Sequence, residues 1–587
     1  MQLDVILRLP YRFLSLDRWP ARFLLSFLLI LIAGLASSCA GYAQGSAASP
    51  SDANAGSGRI LLVLPFDNLA DSAVQTDAAA SAVASEPSSL DWLREAAPEI
   101  LNSRFASAGF TPLTREDRLY ALDHLGLPEA FQPSRATAIR IAQTLDADFI
   151  LIGGFNVANG TLTLKSRIVD VAKLRFFPEV TQSGPLAQLI PLLNSLAWQL
   201  TRQLDPAYSV AEETFRATGT NVRLDAFEQY IRGITEHDSA ERLRHLKKAT
   251  DLSPDFTAAW LATGKIQFAS QQYELAAASF GKVTAADPSE LEAGFYRGLS
   301  LIFSGNYPRA EEAFGAIARV LPLAEVVNNE AVAVSRRGHD ATALFRQAEA
   351  ADPADADYHF NLAVSLHSHG DKAEALTEIA QSLKLHPNDS EAKAAEQAWK
   401  SSSQPAPTTN TTEPLERIKR TYNGAAFRQA ALMLDQVEET RLAALPGTER
   451  AGRLAKSAHE KLDRGLLLEA ERSYQAALTA DERSAEAHAG LAQVRERAGD
   501  GDAARKEAEA ALARQPNLDA YMVLARLDLA ANQLPQARDE AAAAIKLDGN
   551  NRAAKDLRRT IDARIESTAA GKAAGDGKAG SDSTIKR

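Results

Sequence analysis

The chain is 587 residues long with a formal net charge of −11 at pH 7, which gives room for roughly three to five domains of about 100–200 residues. The negative balance excludes the broad basic surface by which many proteins bind nucleic acid. The single cysteine, Cys39, excludes internal disulfides and zinc sites built from several cysteines.

Residues 1–43 have the features of an export signal. Four arginines precede an apolar run at 23–36, and small residues follow it up to Ala43. The run is about 14 residues long, which is short for the ~30 Å of hydrocarbon in a bilayer. An uncleaved membrane anchor is the alternative, and "LASSC" resembles a bacterial lipobox that would make Cys39 a lipidation site. We expect an exported protein in the periplasm, or one associated with the outer membrane or cell envelope.

A Ser/Ala/Gly-rich linker at 44–58 leads to a first body at 59–206. The runs "RILLVLPF" and "FTPLT" predict short strands. The stretch "DFILIGGFNVANGTLTLKSRIVDV" predicts a β-hairpin, because Asn159-Gly160 separates two strand-like runs. Amphipathic helical patterns lie between these strands and close the body. The order βαβαββ(β)α therefore predicts an α/β layer domain.

This first body resembles the amino-terminal domain of TolB and related exported proteins. The resemblance is carried by "LLVLPFDN", "DWL", "LDADFILIGGF" and "PLAQLIPLLNSLAWQL", and it covers about 145 residues. It implies a non-enzymatic, envelope-associated module that contacts other components. The β-propeller that follows in TolB is missing from this sequence, so the cellular role of TolB itself is not implied.

The rest of the chain is dominated by a repeat of about 34 residues. Prolines recur at intervals of 34, 34, 31 and 34 residues, at Pro254, Pro288, Pro322, Pro353 and Pro387. Before each of the last four prolines stand an alanine and then a bulky apolar residue: Ala276, Ala310, Ala341 and Ala375, then Phe280, Phe314, Phe345 and Ile379. This pattern predicts helix pairs. The alanine lets the helices cross closely, the bulky residue fills the space between them, and proline ends the second helix.

The pattern is similar to that of tetratricopeptide repeats. It predicts one block at 222–400, a polar linker at 401–413, a second block at 414–565 and a disordered tail at 566–587. Residues 414–448 are interpreted as one more helix pair, in which the repeat pattern is degenerate. The predicted fold is thus an α/β amino-terminal domain followed by an all-α solenoid, an α-α superhelix, in two blocks.

The resemblance also implies that one face of each first helix lines a concave groove. The corresponding positions are Leu261, Lys265, Phe268, Phe295, Leu299, Ile302, Phe303, Phe360, Val364 and His367. Their apolar and aromatic character predicts protein or peptide partners, bound as an extended or helical apolar segment. The alternative is that a terminal helix or the first domain fills the groove, or that some of these side chains pack between repeats.

Motifs for catalysis are missing from the sequence. There is no Gly-x-x-x-x-Gly-Lys loop, no Gly-x-Ser-x-Gly elbow and no His-Glu-x-x-His pair. We therefore predict no enzyme, no catalytic residues and no cofactor. A metal site is a competing interpretation of one ridge of turns, formed by His339, Asp340, His367, His369 and Asp371. A histidine near a helix end is also favoured by the helix dipole, so no metal ligand is predicted.

The sequence as a whole predicts an exported bacterial scaffold that mediates protein–protein interactions in the cell envelope. The membrane would be contacted only through the amino-terminal signal, anchor or lipid. The alternative is a regulator in which the α/β domain senses a small ligand or polymer and the repeats transmit the signal.

Overall fold

The structure is a computed structural model that describes residues 58–69, 90–129, 134–219, 221–284, 287, 289–401 and 415–579. It consists of two compact units. The described part of one is residues 323–401 and 415–419, and that of the other lies within 58–322 and 420–579. The predicted signal, Cys39 and most of both linkers lie outside the described residues. Among the helices that are described, none is long and apolar enough to cross a membrane.

Seven strands in the described residues form one mixed sheet. Their bounds are β1 Ile60–Val63, β2 Asp67–Asn68, β3 Thr111–Pro112, β4 Phe149–Ala158, β5 Thr161–Asp170, β6 Arg175–Phe176 and β7 Val180–Pro185. The order is β3-β1-β4-β5-β6, with β2 paired to β4 and β7 paired to β5. Strand β1 is parallel to β3 and β4, whereas β4 and β5 form the predicted antiparallel hairpin. Asn159 and Gly160 in its turn have φ of 51° and 75°, the left-handed backbone that a two-residue hairpin requires.

Helices cover both faces of this sheet: α1 Leu93–Ser107, α2 Arg115–His124, α3 Arg135–Thr144 and α4 Leu189–Leu204. The side chains of β1 alternate between two cores, as the pleat of a strand dictates. Leu61 and Val63 belong to a core with residues of α1 and α4. Leu62 and Leu64 belong to another core, with residues of α2 and α3.

Helix α2 is an element that the apolar pattern does not predict. Of its ten residues only Arg118, Ala121 and Leu122 are buried, so its amphipathic signal is weak. The helix begins at a reciprocal cap. The Asp117 amide donates to the Thr114 hydroxyl, and the Thr114 amide donates to the Asp117 carboxylate at 2.8 Å.

Twenty further helices complete the described fold. The unit of residues 323–419 contains α12 Ala324–Arg336, α13 Thr342–Ala351, α14 Ala356–Ser368, α15 Lys372–Leu385 and α16 Ser390–Ser401. The other unit contains α5 Glu212–Ala217, α6 Leu224–Thr235, α7 Ser239–Leu252, α8 Thr257–Ala269, α9 Tyr273–Phe280, α10 Glu290–Phe303 and α11 Tyr307–Val320. It also contains α17 Gly424–Ala443, α18 Gly447–Asp463, α19 Leu467–Ala480, α20 Ala485–Arg497, α21 Gly501–Leu512, α22 Leu518–Ala530, α23 Leu534–Leu547 and α24 Arg552–Ala579.

The helix pairs pack as the repeat pattern predicts. A Cβ atom added to Gly264 would come within 2.7 Å of the Phe280 ring, and one added to Gly298 within 2.6 Å of the Phe314 ring. The small residue of the first helix thus lies directly against the bulky residue of the second. The crossing alanines are at most 1% exposed: Ala276, Ala310, Ala341 and Ala375. The predicted fold class, an α/β domain followed by helix pairs, is confirmed.

Two stretches differ from the sequence predictions. Residues 415–423 are not helical, although 414–448 was expected to form a helix pair. A single helix, α17, follows them. At the other end, α24 runs to Ala579, into the tail expected to be disordered from 566. Alanine is frequent there and has the highest helix propensity of all residues.

The α/β domain is tied to the second repeat block through α19. Leu468 belongs to the same core as the strands. Glu471, which is 0% exposed, accepts a hydrogen bond from the Ala211 amide at 2.9 Å. The same carboxylate oxygen pairs with Arg495 at 2.9 Å. One buried carboxylate therefore joins the segment after α4 to two helices of the second block.

Candidate peptide-binding groove

Three asparagines line a groove in the unit of residues 323–419. Asn328 and Asn329 lie on α12, and Asn361 lies on α14. Each is 0% exposed. A buried carboxamide has two N–H donors and an acceptor oxygen that need partners. Most of these partners belong to residues 416–419, which we call the docked segment. We call the surface of α12 and α14 that contacts this segment the asparagine groove.

The asparagines hold the docked segment by its main chain. The Arg417 amide donates to Asn361 Oδ1 at 2.6 Å, and Asn361 Nδ2 donates to the Arg417 carbonyl at 2.8 Å. The Lys419 amide donates to Asn329 Oδ1 at 2.9 Å, and Asn329 Nδ2 donates to the Lys419 carbonyl at 2.8 Å. Asn328 Nδ2 donates to the Arg417 carbonyl at 3.0 Å, and its oxygen accepts from Asn361 Nδ2 at 2.7 Å. The bonds to Arg417 and Lys419 go to main-chain groups, so they do not depend on the identity of the side chains.

The Arg417 side chain lies among three carboxylates. Its guanidinium nitrogens are 3.0 Å from Asp357, 2.7 Å from Asp389 and 3.2 Å from Glu391. The guanidinium carbon lies 3.7 Å from the centroid of the Phe360 ring, a cation–π contact. Burial alone would raise the pKa of Asp389, but backbone amides and Arg417 hold it below its usual value.

The Lys419 ammonium is held by two aspartates, at 2.6 Å from Asp355 and 2.8 Å from Asp357. It also lies 4.9 Å from the centroid of the Tyr358 ring. Burial would raise the pKa of Asp357, but its contacts with Lys419 and Arg417 hold that pKa below its usual value. Burial opposes the charge on Lys419 as well, yet the two carboxylates raise the pKa of this lysine.

Glu416 is the acidic residue of the docked segment, and its partners are a cation and a hydroxyl group. Its carboxylate accepts hydrogen bonds from the Ser335 hydroxyl and from Arg336 Nε, the latter at 2.8 Å. Its carbonyl accepts a further bond from Arg336 at 3.3 Å. The groove therefore matches an acid, an arginine, an intervening residue and a lysine, in that order.

Three residues that the sequence predicted to line a groove belong to this unit. Phe360 is fully buried and supports Arg417. Val364 is 7% exposed. The His367 ring stacks on Trp399, with 4.4 Å between the ring centroids. Of these three, Phe360 contacts the docked segment, through the Arg417 side chain.

The other seven predicted residues lie in the other unit: Leu261, Lys265, Phe268, Phe295, Leu299, Ile302 and Phe303. Phe295, Leu299 and Ile302 are at most 5% exposed. Phe295 contacts two aromatic residues from later in the chain, Tyr422 at 5.8 Å and Phe427 at 6.2 Å between ring centroids. An open apolar groove was expected at these positions. Phe295 is instead covered by Tyr422 and Phe427, which belong neither to a terminal helix nor to the first domain.

The remaining four are partly exposed and engage their neighbours in the repeats. Lys265 pairs with Glu292 at 2.6 Å. The rings of Phe268 and Phe303 are 6.0 Å apart. Leu261 packs against the cluster around Phe280.

The histidines and aspartates of the ridge of turns do not come together as a metal centre in the described residues. His369 lies 3.6 Å from Asp340, and His367 stacks on Trp399. Within the described part of the chain, no group of three or more His, Cys, Asp or Glu side chains is placed to hold a metal ion.

Sequence reasoning missed the asparagines. One signal was available: Asn329 and Asn361 each stand two residues before a fully buried alanine of a first helix, Ala331 and Ala363. The same polar residue thus occurs at the same place in two successive repeats. Asparagine is unusual in a helix interior, so such a recurrence favours a role in binding over a role in folding.

A protein-family model described as tetratricopeptide repeat matches residues 261–324, 329–390 and 456–518. The chain carries tetratricopeptide repeats. The match covers helix pairs in both predicted repeat blocks and includes α12 and α14, which carry the asparagines. It leaves out the α/β domain, so the resemblance of that domain to TolB stays a prediction. No curated protein matches the sequence significantly.

Solved structures similar to parts of this chain include two tetratricopeptide repeat proteins and the C-terminal domain of LpoB. YrrB, a tetratricopeptide repeat protein with an unusual peptide-binding site, is 16% identical, with coverage of 35% of this chain and 99% of YrrB and a TM-score of 0.27. A tetratricopeptide repeat protein from Parabacteroides merdae is 12% identical, with coverage of 52% and 98% and a TM-score of 0.23. The C-terminal domain of LpoB from Salmonella enterica is 19% identical, with coverage of 22% and 84% and a TM-score of 0.17. At these values the similarities support no conclusion about function.

Proposed function

We propose that this chain is an exported bacterial scaffold that binds other proteins in the cell envelope, and that the asparagine groove is one of its peptide-binding sites. Tetratricopeptide repeats are in general non-catalytic scaffolds for protein interactions. One observation carries the assignment of the groove. Asn329 and Asn361 each bond both the N–H and the C=O of one residue in the docked segment, which is neither helix nor strand. Recognition through main-chain hydrogen bonds is a general way to bind peptides.

Export is supported by the arginines, apolar run and small residues of 1–43. Location in the envelope is supported by the resemblance of 59–206 to the amino-terminal domain of TolB. The test is to express the full chain with a carboxyl-terminal tag in a bacterium, fractionate the cells and determine the mature amino terminus by mass spectrometry. Recovery from the periplasm or envelope with residues 1–43 removed, or with a lipid on Cys39, is the expected result. A cytoplasmic chain with an intact amino terminus would contradict export.

The scaffold role is tested by chemical crosslinking in intact cells, followed by affinity purification of the tagged chain. We expect proteins that crosslink to the wild type and are lost from the double variant Asn329→Ala/Asn361→Ala. Asn388→Ala is the matched control, because Asn388 is exposed on the α15–α16 loop of the same unit. An identical set of partners for all three chains would contradict a role for the groove. Thermal stabilisation by cell-wall fragments, with no protein partner recovered, would favour the sensing regulator instead.

A further inference from the structure

The occupant of the asparagine groove shows which chemistry the groove selects. Arg417 and Lys419 are two positions apart, so in an extended chain their side chains lie on the same face. Both side chains end among carboxylates: Asp357, Asp389 and Glu391 around the guanidinium, and Asp355 and Asp357 around the ammonium. Four carboxylates thus surround two cations. The groove retains an excess of negative charge even when it is filled.

The docked segment is held as a ligand is held. The described main-chain hydrogen bonds of Arg417 and Lys419 go to asparagine side chains and not to the main chain of a strand or helix. The ring of Phe360 makes a cation–π contact with Arg417, and the ring of Tyr358 makes one with Lys419. All of these contacts are hydrogen bonds, ion pairs or cation–π contacts to one short stretch of chain. A separate peptide with the same charges can therefore make the same contacts.

We propose that the asparagine groove binds an extended peptide with the pattern acid–Arg–any–Lys, and that residues 416–419 are its resident intramolecular occupant, which a partner segment of the same chemistry displaces. This inference rests on the proposed function of the groove as a peptide-binding site. It adds the chemical class of the peptide and the identity of the competitor. The partner is a basic stretch of another protein.

The charges of the groove decide against an acidic peptide. Arg336, the cation of the groove that contacts the segment, is engaged by Glu416 at 2.8 Å. An acidic side chain in place of Arg417 would face Asp357, Asp389 and Glu391 without a counter-charge. Like charges that are desolvated at an interface repel each other strongly, so we expect charge reversal at this position to abolish binding.

The tethered segment competes at a high local concentration. A segment joined to its site by a short linker has an effective concentration in the millimolar range, as an order of magnitude. A free peptide therefore binds the wild-type chain more weakly than a chain whose own segment no longer docks. With a free-peptide Kd on the order of 100 μM, the difference is about tenfold.

The test uses a fluorescent peptide with the sequence of residues 415–421, LERIKRT, and the full chain. Fluorescence anisotropy compares the wild type with the double variant Arg417→Ala/Lys419→Ala, which removes both cations of the docked segment and is expected to loosen its hold on the groove; it is called the vacated variant. The control Lys384→Ala/Lys393→Ala removes the same charge from the surfaces of α15 and α16. We expect the vacated variant to bind the peptide about tenfold more tightly than the wild type and the control. Adding Asn361→Ala to the vacated variant is expected to abolish the gain.

A second peptide, with glutamate at the positions of Arg417 and Lys419, is expected not to bind. Hydrogen–deuterium exchange on the wild-type chain gives a measurement that needs no variant: excess LERIKRT peptide is expected to increase exchange within residues 416–419. Equal affinity for wild type and vacated variant, equal binding of the reversed peptide, or unchanged exchange at saturating peptide would overturn the inference. If these occur while partners still crosslink in a groove-dependent way, the proposed function stands and only this inference fails.

Discussion

The carboxamide of Asn361 binds the main chain of Arg417 from both sides, accepting from its amide at 2.6 Å and donating to its carbonyl at 2.8 Å. The two residues are 56 positions apart in the sequence. Because Asn361 is 0% exposed, removing Arg417 from the groove leaves the Asn361 oxygen and one of its two N–H donors dependent on water, while the bond to Asn328 remains. The groove and the docked segment are therefore energetically coupled.

Trypsin provides a first test of that coupling, because it cleaves after arginine and lysine. We expect Asn361→Ala to increase cleavage after Arg417 and Lys419 by about tenfold, since two hydrogen bonds of about 0.5–1.5 kcal/mol each are lost and cleavage follows local opening. Limited proteolysis with mass spectrometry measures the rate. Asn388→Ala is the control and should cleave at the wild-type rate. Equal rates for both variants would show that Asn361 does not hold the segment.

The pH dependence of peptide binding follows from the aspartates. Burial would raise the pKa of Asp357 and of Asp389, but the Lys419 and Arg417 side chains hold the first below its free value of about 3.9, and the Ala392 amide and Arg417 hold the second below it. Their contribution is therefore complete above that value and is lost as the pH falls through the lowered pKa. The pKa of Lys419 is raised, so its contribution is lost only as the pH rises beyond about 10.4.

We accordingly expect LERIKRT to bind the vacated variant equally at pH 5, 7 and 9, and to lose affinity below about pH 4. Anisotropy titrations at each pH measure the affinity, with circular dichroism to show that the chain stays folded. An inflection between pH 5 and 9 would point to a titrating histidine and count against the aspartates.

The repeats make a prediction about stability at Gly298. A methyl group there would lie 2.6 Å from the Phe314 ring, so Gly298→Ala overpacks the helix pair and should lower the free energy of unfolding by about 1–3 kcal/mol. Gly452 is the matched control, because it also lies in a helix and nothing stands within 4 Å of an added Cβ. Gly452→Ala should raise stability by up to about 1 kcal/mol. Calorimetry should find Tm lower for the first variant and higher for the second.

The attachment of the α/β domain to the second repeat block depends on Glu471. Replacing it with alanine leaves Arg495 without its buried partner and removes the acceptor of the Ala211 amide. We expect a loss of about 3–5 kcal/mol, seen as a lower denaturation midpoint. Glu486→Ala, an exposed position on α20, should stay within about 0.5 kcal/mol of the wild type. A similar midpoint for both variants would mean that the buried pair contributes little to holding the domain.

The repeat architecture and the strand pattern follow from the sequence alone because their contacts are local. A helix pair closes when Gly298 meets Phe314 or Gly264 meets Phe280, residues sixteen positions apart. The β4–β5 hairpin needs only Asn159-Gly160 between two apolar runs. In these cases a spacing of residue types states the geometry directly.

The asparagine groove was decided by tertiary structure. Arg417 meets Asn361 across 56 residues and Lys419 meets Asn329 across 90, and no periodicity relates residues 416–419 to α12 or α14. The repeat pattern indicated Phe360 but not that Arg417 would cover it. A repeat fixes which helix faces lie next to each other, because the same local contact recurs in every unit. The groove between these helix faces is filled by one segment, residues 416–419, that is not part of the repeat. The position of this segment is set by ion pairs and main-chain hydrogen bonds between residues that only the folded chain brings together.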